Sequence, residues 1–209
     1  MFAKAAQTIF FTAALAMMAV APKPAGGLEQ APYDVLEKAD GIEIRRYPQT
    51  IVAQTIVTAS DRQSAARKGF MSLAGYIFGQ NRSGDKIAMT APVTTSPVTP
   101  EATTAQKTVD GKYTVQFVMP SKWTMETLPI PANPHVTLKA LPLRYVVATG
   151  MVGRRTPEQI AAMEAKISAF VSKRKLMTTG GFISAGYDGP SKAEEKRRWE
   201  VMQEVTAPQ

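Results

Sequence analysis

The order of strand-like and helix-like segments recurs along the chain, and that recurrence constrains the fold more than any single motif. Tyr33–Glu37 and Ile42–Arg45 read as short strands, the second alternating apolar and charged residues as a half-buried strand does. Thr50–Thr58 is rich in β-branched residues and reads as a longer strand. Ser60 or Asp61 then offers a helix cap, and Ala66, Phe70, Leu73 and Ile77 follow at three- and four-residue spacing. Gly79, Asn81 and Gly84 stop that helix. Lys86–Thr95 reads as a strand, expected at an edge or a bulge because Pro92 cannot donate to a ladder. Residues 96–110 read as an exposed loop closed by the hairpin signal Asp110-Gly111, and Tyr113–Met119 as a strand. After the proline-rich stretch 120–134 the order repeats. Val136–Ala140 and Leu143–Met151 are strand candidates, and Thr156-Pro157-Glu158 opens a second helix. Its stripe is Ile160, Met163, Ile167 and Phe170, and Gly180-Gly181 ends it. Phe182–Tyr187 and Trp199–Val205 complete the set. The repeat is one of element order and not of residues. Two such halves, about 33–119 and 136–205, place two helices against a curved antiparallel sheet closed or nearly closed as a barrel, an α+β architecture.

The first 27 residues stand apart. Lys4 precedes an apolar run from Ile9 to Ala21, with a small-x-small site at Ala19-Val20-Ala21 and a Pro/Gly-rich stretch beyond. The run falls short of the ~20 residues that span a bilayer. It predicts an export signal with a short linker over 1–27, a single domain over 28–209, no stable membrane insertion after cleavage, and a periplasmic or secreted location. An uncleaved anchor is the alternative. There is no cysteine, which excludes disulfides, thiolate metal sites and a Cys nucleophile. The net charge of +8 is spread over short clusters such as Arg45-Arg46, Arg154-Arg155 and Lys196-Arg197-Arg198, which read as solvated faces. Without a compact basic block, nucleic acid is not an expected partner.

No strong catalytic motif is present, whether a P-loop, a G-x-S-x-G elbow or an HExxH helix. Gly150-x-x-Gly153 reads as a turn before the second helix. His135 is the one histidine; a haem-ligand role competes with a surface position at a strand start. Glu126 beside Trp123 would serve as a general acid or base if desolvated, against the simpler reading of a loop surface. The methionines, Met71, Met89, Met119, Met125, Met151, Met163 and Met177 among them, suit an adaptable apolar site but are commoner as core fillers.

Several segments together resemble one family. YDVLEKADGIEIRRYP (Tyr33–Pro48), GFMSLAGYIFGQN (Gly69–Asn81), KIAMTAPV (Lys86–Val93) and VMPSKWTMETLPIP (Val118–Pro131) resemble the SOUL haem-binding proteins. GYDGPSKAEEKRRWEV (Gly186–Val201) is similar to a divergent form of the family's closing segment. The resemblance implies a distorted antiparallel β-barrel of two βαββ-like halves flanked by two helices, similar to the gyrase-inhibitor-like ligand-binding fold. It implies non-covalent binding of haem or another porphyrin in an apolar cleft beside the first helix and the closing loop, without catalysis or a resident metal. By position it assigns Arg67 to a propionate, Phe70, Met71 and Ala74 to the macrocycle, and Tyr187 and Lys192 to the closing loop. Phe70 also belongs to the core stripe, so positions 67, 71, 74 and 75 form the alternative outward set. The closing loop has fewer aromatics than the family's, so the wall of the cleft is expected to differ. A small-molecule hydrolase of the same fold, using Glu126, and an envelope protein-interaction module are the alternative functions.

Overall fold

A computed structural model describes residues 27–98 and 111–208. The segment read as an export signal lies outside the described residues except for Gly27, as does most of the loop before Gly111. The short strand β1 (Glu29–Gln30) pairs in parallel with β5 (Thr90–Ala91). The main sheet is antiparallel and contains β2 (Asp34–Ala39), β3 (Ile42–Tyr47), β4 (Thr50–Thr58), β6 (Val93–Pro97), β7 (Lys112–Val118), β8 (Thr137–Leu141), β9 (Arg144–Val152), β10 (Ile183–Gly186) and β11 (Arg198–Val205). Helix α1 spans Arg62–Ile77 and α2 spans Pro157–Lys173.

The strand order is β2-β3-β9-β11-β10-β6-β7-β4-β8. Each half is therefore a β-α-β-β unit, β4-α1-β6-β7 and β9-α2-β10-β11, and the two units meet at the β6–β10 pair. The strand preceding each unit crosses to the other one: β3 pairs with β9, and β8 with β4. These crossings force the sheet to curl. Six strand spacings separate β3 from β4 in the order, about 29 Å if the sheet were flat. Pro48 and Gln49 alone connect Tyr47 to Thr50, a reach of at most about 11 Å. Pro142 and Leu143 impose the same condition between β8 and β9. The result is the expected α+β half-barrel.

The inner face is the one on which strands from both ends of the sheet converge. Tyr47, Val52, Val118, Val146, Ala148, Ala185 and Met202 share a single cluster there. The outer face carries the helices. Leu73, Tyr76 and Ile77 of α1 pack on Ala53, Val115 and Phe117. Ile167, Phe170 and Val171 of α2 pack on Ile44, Val147 and Val201. Gly69 lets α1 come close: a Cβ there would sit 2.4 Å from the Val115 side chain.

Local signals set both helices. Asp61 Oδ1 accepts from the Ser64 backbone N–H at 2.8 Å and caps α1. At the other end Gly79 has φ +107, and the Gln80 N–H returns to the Gly75 carbonyl at 2.9 Å. Thr156 and Gln159 form a reciprocal capping box on α2. Gly153, with φ +118, makes the expected turn before it. One expectation is corrected. The segment around Pro92 is not one edge strand: it splits into β5, in the two-stranded pair, and β6, which sits mid-sheet, leaving Pro92 between them.

Candidate functional site

Helix α1 lies over β4, β7 and β6, and α2 over β9 and β11. The seam between them opens into a cavity of about 550 Å³, walled by Arg62, Arg67, Tyr113, Arg155, Ile160 and Ser184 among others. Arg62 Nη1 donates to Glu164 Oε1 at 2.9 Å and ties the helices together. Asp61, also at the rim, is committed to capping α1; its bonds to Ser64 and Ser60 hold its carboxyl down to about 2. Arg155 Nη1 donates to Ser184 Oγ at 3.0 Å. Burial, with the neighbouring Arg62 guanidinium, lowers its pKa below the ordinary arginine value.

The residues assigned from the family resemblance are divided by the structure. Arg67 and Met71 are both exposed on α1, one turn apart, and Met71 is 71 % accessible. Phe70 is half-buried, its ring 5.5 Å from Phe117 in a tilted pair, so it belongs largely to the core. Ala74 is buried and Gly75 half-buried. The outward set of 67, 71, 74 and 75 is thus reduced to its first two members. Tyr187 points to the inner face, where its hydroxyl donates to Glu200 Oε2 at 2.5 Å. It lines a second cavity, of about 310 Å³, with Tyr33, Gly150, Trp199 and Glu200. Lys192 Nζ pairs with Asp188 at 3.0 Å, and Asp188 also takes three bonds from Arg198, two from its guanidinium and one from its backbone N–H. Arg67 and Tyr187 therefore line different cavities.

Sequence reading missed a buried polar network on the inner face. Arg45 donates from both terminal nitrogens to Glu200, at 2.8 and 2.7 Å, and from Nε to Glu43 at 2.9 Å. Its guanidinium lies 4.4 Å from the Tyr33 ring centre. Burial works against the Arg45 charge, but the bonds and charge of Glu200 outweigh it and raise its pKa. Arg45-Arg46 is accordingly not a solvated face: Arg45 is 4 % accessible and Arg46 pairs with Asp34 at 2.7 Å. The alternation in Ile42–Arg45 contained the signal, because it set Glu43 and Arg45 on one face; that face is the interior. Deeper in, the inner face retains a void of only about 20 Å³ between Tyr47, Gln116 and Met202, room for about one water. A macrocycle cannot enter there.

Two other candidates do not form sites. Glu126 is exposed, and a hydrogen bond from the Thr124 side chain holds its carboxyl below the usual range, the opposite of a desolvated general acid. His135 is exposed in the turn before β8. Among the described residues no group of His, Asp and Glu is placed to hold a metal ion.

A curled antiparallel sheet built from two exchanged β-α-β-β halves, with a basic cleft between its helices, defines an α+β domain of known shape. The C-terminal domain of EcmrR shares it at a TM-score of 0.57 and 13 % identity, over 79 % of this chain and 96 % of that one. A hydrolase from Listeria innocua shares it at 0.53 and 12 % identity, over 82 % and 94 %. At such identities only the fold is common ground. The sequence resolves the family: residues 28–204 match the SOUL heme-binding proteins, and the chain belongs to that family. "Heme-binding protein 2" of Mus musculus is 27 % identical over 165 residues, 77 % of each chain. The Homo sapiens protein of the same name is 27 % identical over 167 residues, 78 % of each.

Proposed function

We propose that this protein is exported and binds haem or a related tetrapyrrole non-covalently on the outer side of the fold, for buffering or transfer and without catalysis. The observation that carries the reading is the exposed pair Arg67 and Met71 on α1, beside the interhelical cleft. A polarisable apolar side chain next to a guanidinium with no acidic partner among the described residues suits a flat apolar ring with anionic arms. The interhelical cleft, at about 550 Å³, is roomier than the cavity of about 310 Å³ beside Tyr187, which favours the outer side for a large ligand. Family membership and the two curated relatives support the choice of haem. Tyr187 and Lys192 are each held by a carboxylate and would have to exchange partners to join the site. Export rests on the pattern of residues 1–27, and cell fractionation with N-terminal sequencing of the mature chain tests it. Binding is tested by titrating haem and an iron-free porphyrin, following absorbance and tryptophan quenching. Saturable one-to-one binding of both is expected, weakened about tenfold or more when Arg67 and Met71 are replaced together by Gln and Ala. Unchanged affinity in that variant would remove the α1 site, and binding of neither porphyrin would remove the function.

A further inference from the structure

We propose that the cleft between the two helices is a carboxylate-binding subsite organised by Arg155, just before the start of α2. The proposal rests on the tetrapyrrole reading for the identity of the ligand but not for the existence of the site. Burying a guanidinium requires a partner, and elsewhere this fold supplies one. Arg45 has Glu43 and Glu200, Arg46 has Asp34, and Arg144 has Glu204. Arg155 is half-buried and pairs with no carboxylate among the described residues; Ser184 Oγ takes one of its five N–H groups. The two acids at the cleft are engaged, Glu164 with Arg62 and Asp61 with the start of α1. Across the cleft stands Arg67, also without an acid among the described residues. Tyr113, Ile160 and Ala161 supply apolar wall. Two guanidiniums lining one cleft with a partly apolar wall fit an amphipathic organic anion with one or two carboxylates, which Arg binds in fork geometry.

The test compares a dicarboxylate porphyrin with its dimethyl ester against the purified protein in the same dilute detergent. The free acid should bind about ten- to a hundredfold more tightly. Arg155→Gln should erase that preference, and Arg155→Lys, which keeps the charge but loses the fork, should restore part of it. Equal binding of acid and ester, or a preference that survives Arg155→Gln, overturns the subsite and leaves the carrier reading intact. A second measurement uses no tetrapyrrole: succinate is titrated into nitrogen-15-labelled protein, and the Arg155 side-chain Nε–Hε resonance, assigned by its loss in Arg155→Gln, is followed. If neither porphyrin binds, the carrier reading falls. A saturable Arg155 shift with succinate then still supports the subsite, and an unmoved resonance overturns it.

Discussion

Replacing Arg45 by Met should cost this fold about 3–5 kcal/mol, because it strands a charge on the inner face. The structure shows which charge. Glu43 keeps its pair with Lys38 at 3.0 Å, so its loss is partial. Glu200, with a side chain 15 % accessible, loses both guanidinium bonds and retains only the Tyr187 hydroxyl. The contact of Arg45 with the Tyr33 ring is lost as well, worth ~0.5–1 kcal/mol or somewhat more where water is excluded. For a domain of this size the total corresponds to a fall in Tm of about 6–20 °C. Urea denaturation at neutral pH, followed by the fluorescence of the buried Trp199, measures it directly. The decisive comparison is the triple variant Arg45→Met, Tyr187→Phe, Glu200→Leu, which removes both members of the Arg45–Glu200 pair and the hydroxyl bonded to it instead of one partner. It should recover most of the loss, to within ~1–2 kcal/mol of the parent, since apolar replacement of a buried ion pair is often neutral. A single variant costing under ~1 kcal/mol, or a triple variant no more stable than the single one, would show that an uncompensated charge is not the source of the effect.

Two further outcomes follow from the packing and the tyrosines. Gly69→Ala should destabilise by about 1–3 kcal/mol in a thermal melt, because the new Cβ meets Val115 at 2.4 Å and overpacking outweighs the gain in helix propensity; Val115→Ala in the same chain should recover part of the loss. Stability should also fall as pH rises above about 10. Burial pushes Tyr47 and Tyr76 up to about 12, and Tyr187, buried and bonded to Glu200, higher still. These groups stay neutral in the folded chain while their unfolded counterparts ionise, so their contribution is intact below about 10 and is lost as pH climbs through the folded values. Denaturation curves at pH 9, 10 and 11 should show a progressive decline, and a flat profile would contradict the burial of these rings.

The elements whose formation is local were legible in the sequence. Asp61 and the Thr156–Gln159 box marked both helix starts, and Gly79 closed the first helix with a φ of +107. β4 was visible in its β-branched run. Partner choice was not legible, because periodicity states which face a residue takes and not which strand lies beside it. Pro48-Gln49 and Pro142-Leu143 look like hairpin turns, yet each joins strands six places apart in the sheet. The same limit hid the Arg45–Glu200 pair, whose members are 155 residues apart in the chain. At the site, helical spacing aligned Arg67 with Met71 correctly, but it could not show that Ala74 is buried or that α2 faces the same cleft. In Arg154-Arg155 the two neighbours have different fates: the Arg154 side chain is 75 % accessible and pairs with Glu194, while Arg155 turns into the seam.

The repeated architecture itself accounts for where a ligand can be received. Pairing β6 with β10 joins the two halves through their second strands, so each helix lies over its own half and the joint is left between them. The inner face offers less: its cavity beside Tyr187 is about 310 Å³, and deeper in, strands from both ends of the curled sheet fill the space with one another's side chains. The two halves differ at the joint. Eight residues beyond its cap, α2 carries Glu164, which neutralises Arg62 of the other helix. The residue at the same distance beyond the cap of α1 is Gly69, which has no side chain to offer and is buried on β7. One half therefore supplies its partner with an acid and receives none in return. Gly69 instead lets α1 pack closely on β7, and Arg155 at the seam has no carboxylate partner among the described residues.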